Sequence, residues 1–396
     1  TCALPIFGLV HAVAQVEIIT LDNKARKGEI IEIVQGKKSE VLLKTARGAE
    51  KIDWQEIVEI LFPNATSEHP GSVCLILNDG ARVYGNITDG NQQFIFMQSV
   101  SLGTLSIELT RIREIRFNTR LTPLEYSEIE NDVLYFKSGD LMKCLIENFG
   151  KGYVQVQHPQ LGTRKEYFEK LERITFAQLE KGAPKLDVFC VTVVGVDNSR
   201  ITGSVIGFSR NTMTLQCAGI DSQVNIALGN ISHLSFQGGR FVYISDFPES
   251  RYRISYTPFF QGTVDPFLPK FDLNQRGGPI RLGSHHFYKG IGVCPKTEIT
   301  IALNGEFKRF QSHIGVDGII GENLQQRSHL IGGSVVFQVW CDGKKEFDSG
   351  ILKWSSPPFM LEIDVRGKKE LVLTTDFGEN ADVNDLANWA GARLLK

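Results

Sequence analysis

One short apolar pattern recurs four times before residue 240, and it constrains the chain more than any other feature. Ile57, Ile60 and Phe62 are matched at the same spacing by Ile112, Ile115 and Phe117, by Leu171, Ile174 and Phe176, and by Ile231, Leu234 and Phe236. The closing phenylalanines lie 55, 59 and 60 residues apart, which sets the period of an internal repeat. Three copies also open alike, with a turn followed by a glycine in the next strand: Asp22, Asn23 and Gly28; Asp79, Gly80 and Gly85; Asp197, Asn198 and Gly203. The third copy keeps the turn at Ser138 and Gly139 but carries Cys144 in place of the glycine.

Between turn and closing phenylalanine, alternating runs such as Val41 and Leu43, Phe94 and Phe96, or Met213 and Leu215 have the period of half-buried strands. A unit of about 50 residues with about five short strands is the scale of a small barrel, and the pattern resembles Sm-like or SH3-like β-barrel repeats. The expected repeats span residues 15–66, 70–122, 130–180 and 186–238, with linkers at Glu125–Asp132 and Lys181–Lys185. Units this small bury little surface alone, so they are expected to pack or pair edges as a spacer, stalk or protein-binding scaffold, or as stacked structural barrels without a ligand.

At 396 residues the chain exceeds what one core usually supports. Its 38 glycines and 25 phenylalanines beside only 4 methionines favour turn-rich β structure. A formal net charge of -2 gives no reason to expect a polyanionic partner, so nucleic acid is excluded as a first reading. The apolar stretch Ala3–Val13, closing on Ala12, Val13 and Ala14, reads as the remnant of a secretory signal peptide over 1–14, with a buried N-terminal strand as the alternative. No other stretch approaches the roughly 20 apolar residues of a transmembrane helix. The chain is therefore expected to be exported: secreted, periplasmic or at the cell surface. Cutting after Ala14 would remove Cys2 and leave Cys74, Cys144, Cys190, Cys217, Cys294 and Cys341, read either as buried free thiols or as bridges, with Cys190 and Cys217 the pair to test.

After Gly238 and Gly239 the pattern changes, and residues 240–396 read as a separate module with an extended, proline-rich lead-in. Strands are expected over Glu298–Leu303, Arg309–Val316, Ser334–Cys341, Met360–Val365 and Glu370–Thr375, with hairpin turns at Asn304-Gly305 and Asp342-Gly343. This is an antiparallel sandwich. The succession Tyr288-Lys289-Gly290-Ile291-Gly292, Gly315-Val316-Asp317, Gly333 through Trp340 and Asp342-Gly343-Lys344 resembles the NPCBM (novel putative carbohydrate-binding module) family. The resemblance continues through Asp348-Ser349-Gly350 and the closing Asp385, Asn388, Trp389, Ala390, Ala392, Arg393 and Leu394. It implies a galactose-binding-like jelly roll that takes galactose-type sugars. Two departures bear on the ligand: Val293 and Cys294 stand where the family usually has histidine, and Gly391 stands where an acidic residue commonly follows Trp-Ala.

The expected fold is thus all-β, with tandem small barrels followed by the jelly-roll sandwich. Sugar recognition needs an aromatic face and a few fixed polar groups. The candidates are Trp354, on a loop before Ser355, Ser356, Pro357 and Pro358; Trp340, out of phase with Val335, Phe337 and Val339; His286; and Asp317. Trp389, among Leu386, Ala390 and Leu394, reads as core. The run Asp376, Glu379, Asn380, Asp382, Asn384 and Asp385 offers oxygen ligands suited to calcium, or else a solvated acidic turn. The chain has no GxSxG elbow, no HExxH pair and no complete GxGxxG, so a non-catalytic sugar-binding protein is preferred to a cell-surface protein scaffold or a cryptic glycosidase.

Overall fold

The computed structural model describes residues 14–34, 39–63, 65, 71–118, 130–177, 189–209, 211–220, 223–257, 267–317, 332–379 and 383–396. The signal-peptide reading falls almost wholly on residues outside this set. The chain divides into two compact units, Thr1–Gly238 and Gly239–Lys396. Both are built from antiparallel strands, and among the described residues the only helical segments are single 3₁₀ turns.

In the first unit each repeat supplies five strands. Repeat 1 holds β1 (Ala14–Thr20), β2 (Ala25–Val34), β3 (Glu40–Thr45), β4 (Gly48–Asp53) and β5 (Ile57–Leu61). Repeat 2 holds β6 (Val73–Leu77), β7 (Arg82–Gly90), β8 (Phe94–Ser99), β9 (Gly103–Glu108) and β10 (Ile112–Arg116). Repeat 3 holds β11 (Asp132–Phe136), β12 (Leu141–Gly150), β13 (Tyr153–His158), β14 (Gly162–Tyr167) and β15 (Leu171–Thr175). Repeat 4 holds β16 (Cys190–Gly195), β17 (Arg200–Ser209), β18 (Thr212–Cys217), β19 (Val224–Ala227) and β20 (Ile231–Gln237).

The recurring motif is the fifth strand, and its spacing of three has a cause. Residues three apart on a regular strand face opposite sides, yet Ile57 and Ile60 are both buried. A register shift resolves this: Thr20 faces Ile57 while Ile19 faces Glu59, which leaves Val58 as the extra residue of a bulge. The same shift occurs between Ile112 and Glu114, opposite Leu171, and opposite Ile231. The opening glycine answers a close approach. A Cβ on Gly85 would collide with the Gln98 carbonyl, as one on Gly203 would with that of Gln216.

The expected closed barrels are corrected by the pairing. Within each repeat the path runs from the fifth strand to the first and on through the second, third and fourth. It does not close, because both edges of the fifth strand are taken. One edge of β5 pairs with β1 and the other with β20; β10 pairs likewise with β6 and β15. Repeat 1 is thereby joined to repeat 4 and repeat 2 to repeat 3, so the repeats form linked open sheets rather than separate barrels in series. Repeats 2 and 4 meet as well: Asp197 Oδ2 accepts from Ser99 Oγ at 2.8 Å and from the Ser101 N–H at 3.1 Å, while Tyr84 N–H donates to Ser199 Oγ at 2.9 Å.

The second unit begins with β21 (Phe241–Tyr243), β22 (Tyr252–Tyr256), β23 (Lys270–Phe271), β24 (Ile280–Leu282), β25 (His285–Phe287), β26 (Gly290–Val293) and β27 (Thr297–Ala302). It continues with β28 (Arg309–Val316), β29 (Ser334–Cys341), β30 (Lys344–Lys353), β31 (Phe359–Asp364), β32 (Glu370–Phe377) and β33 (Ala387–Leu395). One sheet has the order β23-β26-β33-β28-β31, with β21 also on β33; the other has the order β22-β27-β32-β29-β30. Apolar residues from both sheets form one core that includes Ile291, Phe310, Val335, Phe337, Leu373 and Trp389. Two sheets sharing a core make a β-sandwich. Asn304 with Gly305 and Asp342 with Gly343 all have positive φ. Asp342-Gly343 closes the expected hairpin between the paired strands β29 and β30, whereas Asn304-Gly305 carries the chain from β27 in one sheet to β28 in the other, so the hairpin expected there is a crossover between sheets. Trp389 is fully buried, its Nε1 donating to Thr375 Oγ1 at 3.1 Å and its ring 4.9 Å from that of Phe337 at 90°.

Candidate functional site

At one end of the sandwich the strand ends of both sheets surround a cleft of about 350 Å³. Tyr256 closes β22, Phe377 closes β32, Cys294 and Pro295 follow β26, and Asn384, Asp385 and Leu386 lead into β33. Phe267, Gln275 and Arg276, from the lead-in to the sandwich, complete the wall. Three aromatic rings beside two amides, a guanidinium and a carboxylate match the requirements of a sugar ring, which has apolar faces and polar edges.

Local hydrogen bonds fix this wall. Gln275 Nε2 donates to the carbonyls of Leu268 at 3.0 Å and Gly292 at 2.8 Å, pinning the lead-in to β26. Asn274 Oδ1 accepts from the backbone N–H groups of Arg276 at 3.0 Å and Gly278 at 2.9 Å, a side-chain turn that sets the direction of Arg276. On the opposite side, Asp385 Oδ1 accepts the Ser334 N–H at 2.6 Å, and Ser334 Oγ accepts the Glu379 N–H at 2.6 Å. The loop before β33 is thus tied to the start of β29.

The residues singled out in the sequence are distributed differently. Asn384 and Asp385 line the cleft; Trp354, Trp340, His286 and Asp317 do not. Trp354 follows β30, half-buried, with its indole laid against Gly332, where any Cβ would collide with the ring. Gly333 in turn abuts the Asn384 backbone, so two glycines separate Trp354 from the cleft loop. Trp340 lies on the outer side of its sheet, with Lys345 Nζ 5.7 Å from its ring centroid. His286 is exposed on the separate β24–β25 hairpin opposite Arg281. Asp317 is buried; its Oδ2 accepts from Asn388 Nδ2 at 3.0 Å and its N–H donates to the Leu386 carbonyl at 2.8 Å, so it braces the chain beside the cleft.

Of the calcium set, Asn380 and Asp382 lie outside the described residues. Asp376 pairs with Lys296 at 2.8 Å and Glu379 with Lys353 at 2.8 Å. Among the described residues no group of three or more His, Cys, Asp or Glu side chains is placed to hold a metal ion. Cys74, Cys144, Cys190, Cys217, Cys294 and Cys341 are buried and free of disulfides, Cys190 and Cys217 included. Burial pushes the Cys217 thiol up to about 12, which keeps it protonated.

Sequence reasoning missed Tyr256, Phe267, Gln275, Arg276 and Phe377. The available signal was local: Asn274 followed by Gly277 and Gly278 marks a tight turn whose side chains must point somewhere fixed.

Residues 243–395 match the NPCBM/NEW2 domain family. The chain carries an NPCBM domain. A comparison with curated proteins gives no match. Among solved structures, the chain is similar to the CBM51 of a Clostridium perfringens GH95 protein in complex with methyl-galactose, at 23% identity over 39% of this chain and 99% of that one, with a TM-score of 0.32. It is also similar to CBM51-2 with the INT domains of Clostridium perfringens ZmpB in complex with GlcNAc, at 20% identity over 52% of this chain and 43% of that one, TM-score 0.34. A third likeness is to the tandem CBM51 modules of Sp3GH98 from Streptococcus pneumoniae, at 11% identity over 96% of this chain and 88% of that one, TM-score 0.32. No comparison supports the Sm-like reading of the repeats. Among the described residues no helix is long and apolar enough to cross a membrane.

Proposed function

We propose that the protein is an exported, non-catalytic carbohydrate-binding protein whose NPCBM domain takes a galactose-type sugar in the cleft between Tyr256, Phe377 and the Asn384–Leu386 loop. The observation that carries this reading is the composition of that cleft: aromatic rings from two sheets and the lead-in, set around Gln275, Arg276 and Asn384. In this role Phe377 or Tyr256 stacks on the apolar face of the sugar while Asn384 and Arg276 bond its hydroxyls. Cys294 puts a small, weakly polar group where the family usually presents histidine, which favours a ligand with an apolar substituent on that side. Trp354, on the far side of Gly332 and Gly333, flanks the site for a longer chain of sugars. The four repeats serve as the scaffold that presents the domain.

The test is glycan-array binding by the full chain, with calcium and with chelator, beside Phe377→Ala. Binding that falls in the variant supports the cleft. Undiminished binding by Phe377→Ala moves the site elsewhere on the domain, and failure of the folded protein to bind any glycan favours a protein scaffold.

A further inference from the structure

The junction of repeats 2 and 4 is built from equivalent positions. Arg82 and Arg200, each three residues before the opening glycine of its repeat, are directly opposed in the antiparallel register of β7 and β17. Opposition of equivalent residues places the two repeats about a local twofold axis, so one kind of face meets itself. The turn before the fourth strand completes that face. Ser99 and Ser101 of repeat 2 bond Asp197 of repeat 4, and the corresponding turn of repeat 4 returns the contact: Ile220 bridges to Ile107, and the Glu108 N–H donates to the Gly219 carbonyl at 3.2 Å. Leu102 and Ile220, the apolar residues of the two turns, are buried.

The same face recurs at repeats 1 and 3. Among the described residues β2 and β4 pair only within repeat 1, and β12 and β14 only within repeat 3. The two faces differ in chemistry. At the positions of Arg82, Leu102 and Glu108, repeat 1 has Ala25, Arg47 and Asp53, whereas repeat 3 has Leu141, Leu161 and Tyr167, which are 66%, 59% and 50% exposed. Single exposed apolar residues are ordinary, but three at the positions of a working junction mark an interface. Charge agrees. Across the junction of repeats 2 and 4 the Tyr84 N–H donates to Ser199 Oγ at 2.9 Å. Repeat 3 has Lys143 in the place of Tyr84 and Asp140 in that of Ser199, so a twofold pairing sets Asp140 of each copy beside Lys143 of the other.

We propose that repeat 3 binds a second copy of this chain through Leu141, Leu161 and Tyr167, forming a symmetric dimer that reproduces the junction of repeats 2 and 4. The contact is independent of any sugar; with the NPCBM domain binding as proposed above, two such domains in one particle add avidity for a repeating glycan.

The experiment is sedimentation of the full chain over a wide range of concentration, without glycan. A monomer–dimer equilibrium is expected, weakened at least about tenfold in Leu141→Asp, which opposes two like charges on the axis, and retained in Leu141→Ile. Melting of Leu141→Asp should match that of the parent, since the side chain is exposed. Opposed residues of an antiparallel pair have Cα atoms roughly 4.5–5.5 Å apart, within the span of a disulfide. Leu141→Cys should therefore cross-link two copies on mild oxidation, while the parent and Ala25→Cys do not. A chain that sediments as a monomer at every concentration overturns the proposal, as does a dimer that Leu141→Asp leaves intact or that Leu141→Cys does not cross-link. A dimer dispersed by Ala25→Asp instead places the contact on repeat 1 and overturns it too.

Discussion

Asp385 Oδ1 accepts the backbone N–H of Ser334 at 2.6 Å, fastening the loop that lines the cleft to the first residue of β29. A buried charged acceptor on a buried backbone donor is worth more than an exposed pair, because neither group can turn to water instead. Replacing it with alanine leaves the Ser334 N–H unsatisfied. Asp385→Ala is expected to cost about 1–3 kcal/mol of stability and to weaken sugar binding through the displaced Asn384. Urea unfolding and glycan titration on the same sample read the two effects.

Phe377 lies at the end of β32 with Lys296 Nζ 5.6 Å from its ring centroid. Loss of a stacking face is worth about 1 kcal/mol. Phe377→Ala should therefore weaken sugar affinity by about five- to tenfold while Phe377→Tyr retains it. Loss of binding in both variants would argue against a stacking role.

Trp389 fills the centre of the sandwich between Phe310 and Phe337. Trp389→Ala removes a fully buried side chain, with an expected cost of about 3–5 kcal/mol. The denaturant midpoint assigned to the second unit should fall; a change confined to sugar affinity would contradict a core role.

Asp197 is buried at the contact between repeats 2 and 4. Burial alone would raise its carboxyl pKa, but the hydrogen bonds from Ser101, the Ser199 N–H and Ser99 outweigh it and hold the folded carboxyl below the ordinary aspartate value. A depressed folded pKa contributes stability that is fully present above the unfolded value and is lost as pH falls through the folded one. The parent should therefore lose stability below about pH 4 by a component that Asp197→Asn lacks. Parallel acid profiles for the two proteins would remove Asp197 from the account.

Gly85 sits where the Gln98 carbonyl leaves no room for a Cβ. Gly85→Ala should destabilise the first unit by about 1–3 kcal/mol, whereas Gly80→Ala acts through strain at φ 84° in an open turn. Melting curves of the two variants separate crowding from backbone strain.

Local chemistry made much of this protein legible in its sequence. The repeated spacing of two aliphatic residues and a phenylalanine marked each fifth strand, the Asp-Gly pairs at Asp79 and Asp342 marked hairpins, and the ordered motifs from Tyr288 to Leu394 marked the NPCBM domain, because turn conformation and strand alternation depend on neighbours in the chain; whether the turn at Asn304-Gly305 closes a hairpin or crosses between sheets does not. Tertiary structure decided the rest. Nothing in Ile60 or Leu234 says that β5 pairs with β20 rather than closing on β4; that choice depends on which strand edge is free once distant repeats meet. The cleft was hidden for the same reason. Tyr256, Gln275, Cys294, Phe377 and Asn384 share no local pattern, and they come together only because the two sheets end at the same level, a consequence of packing around Trp389 and Phe337.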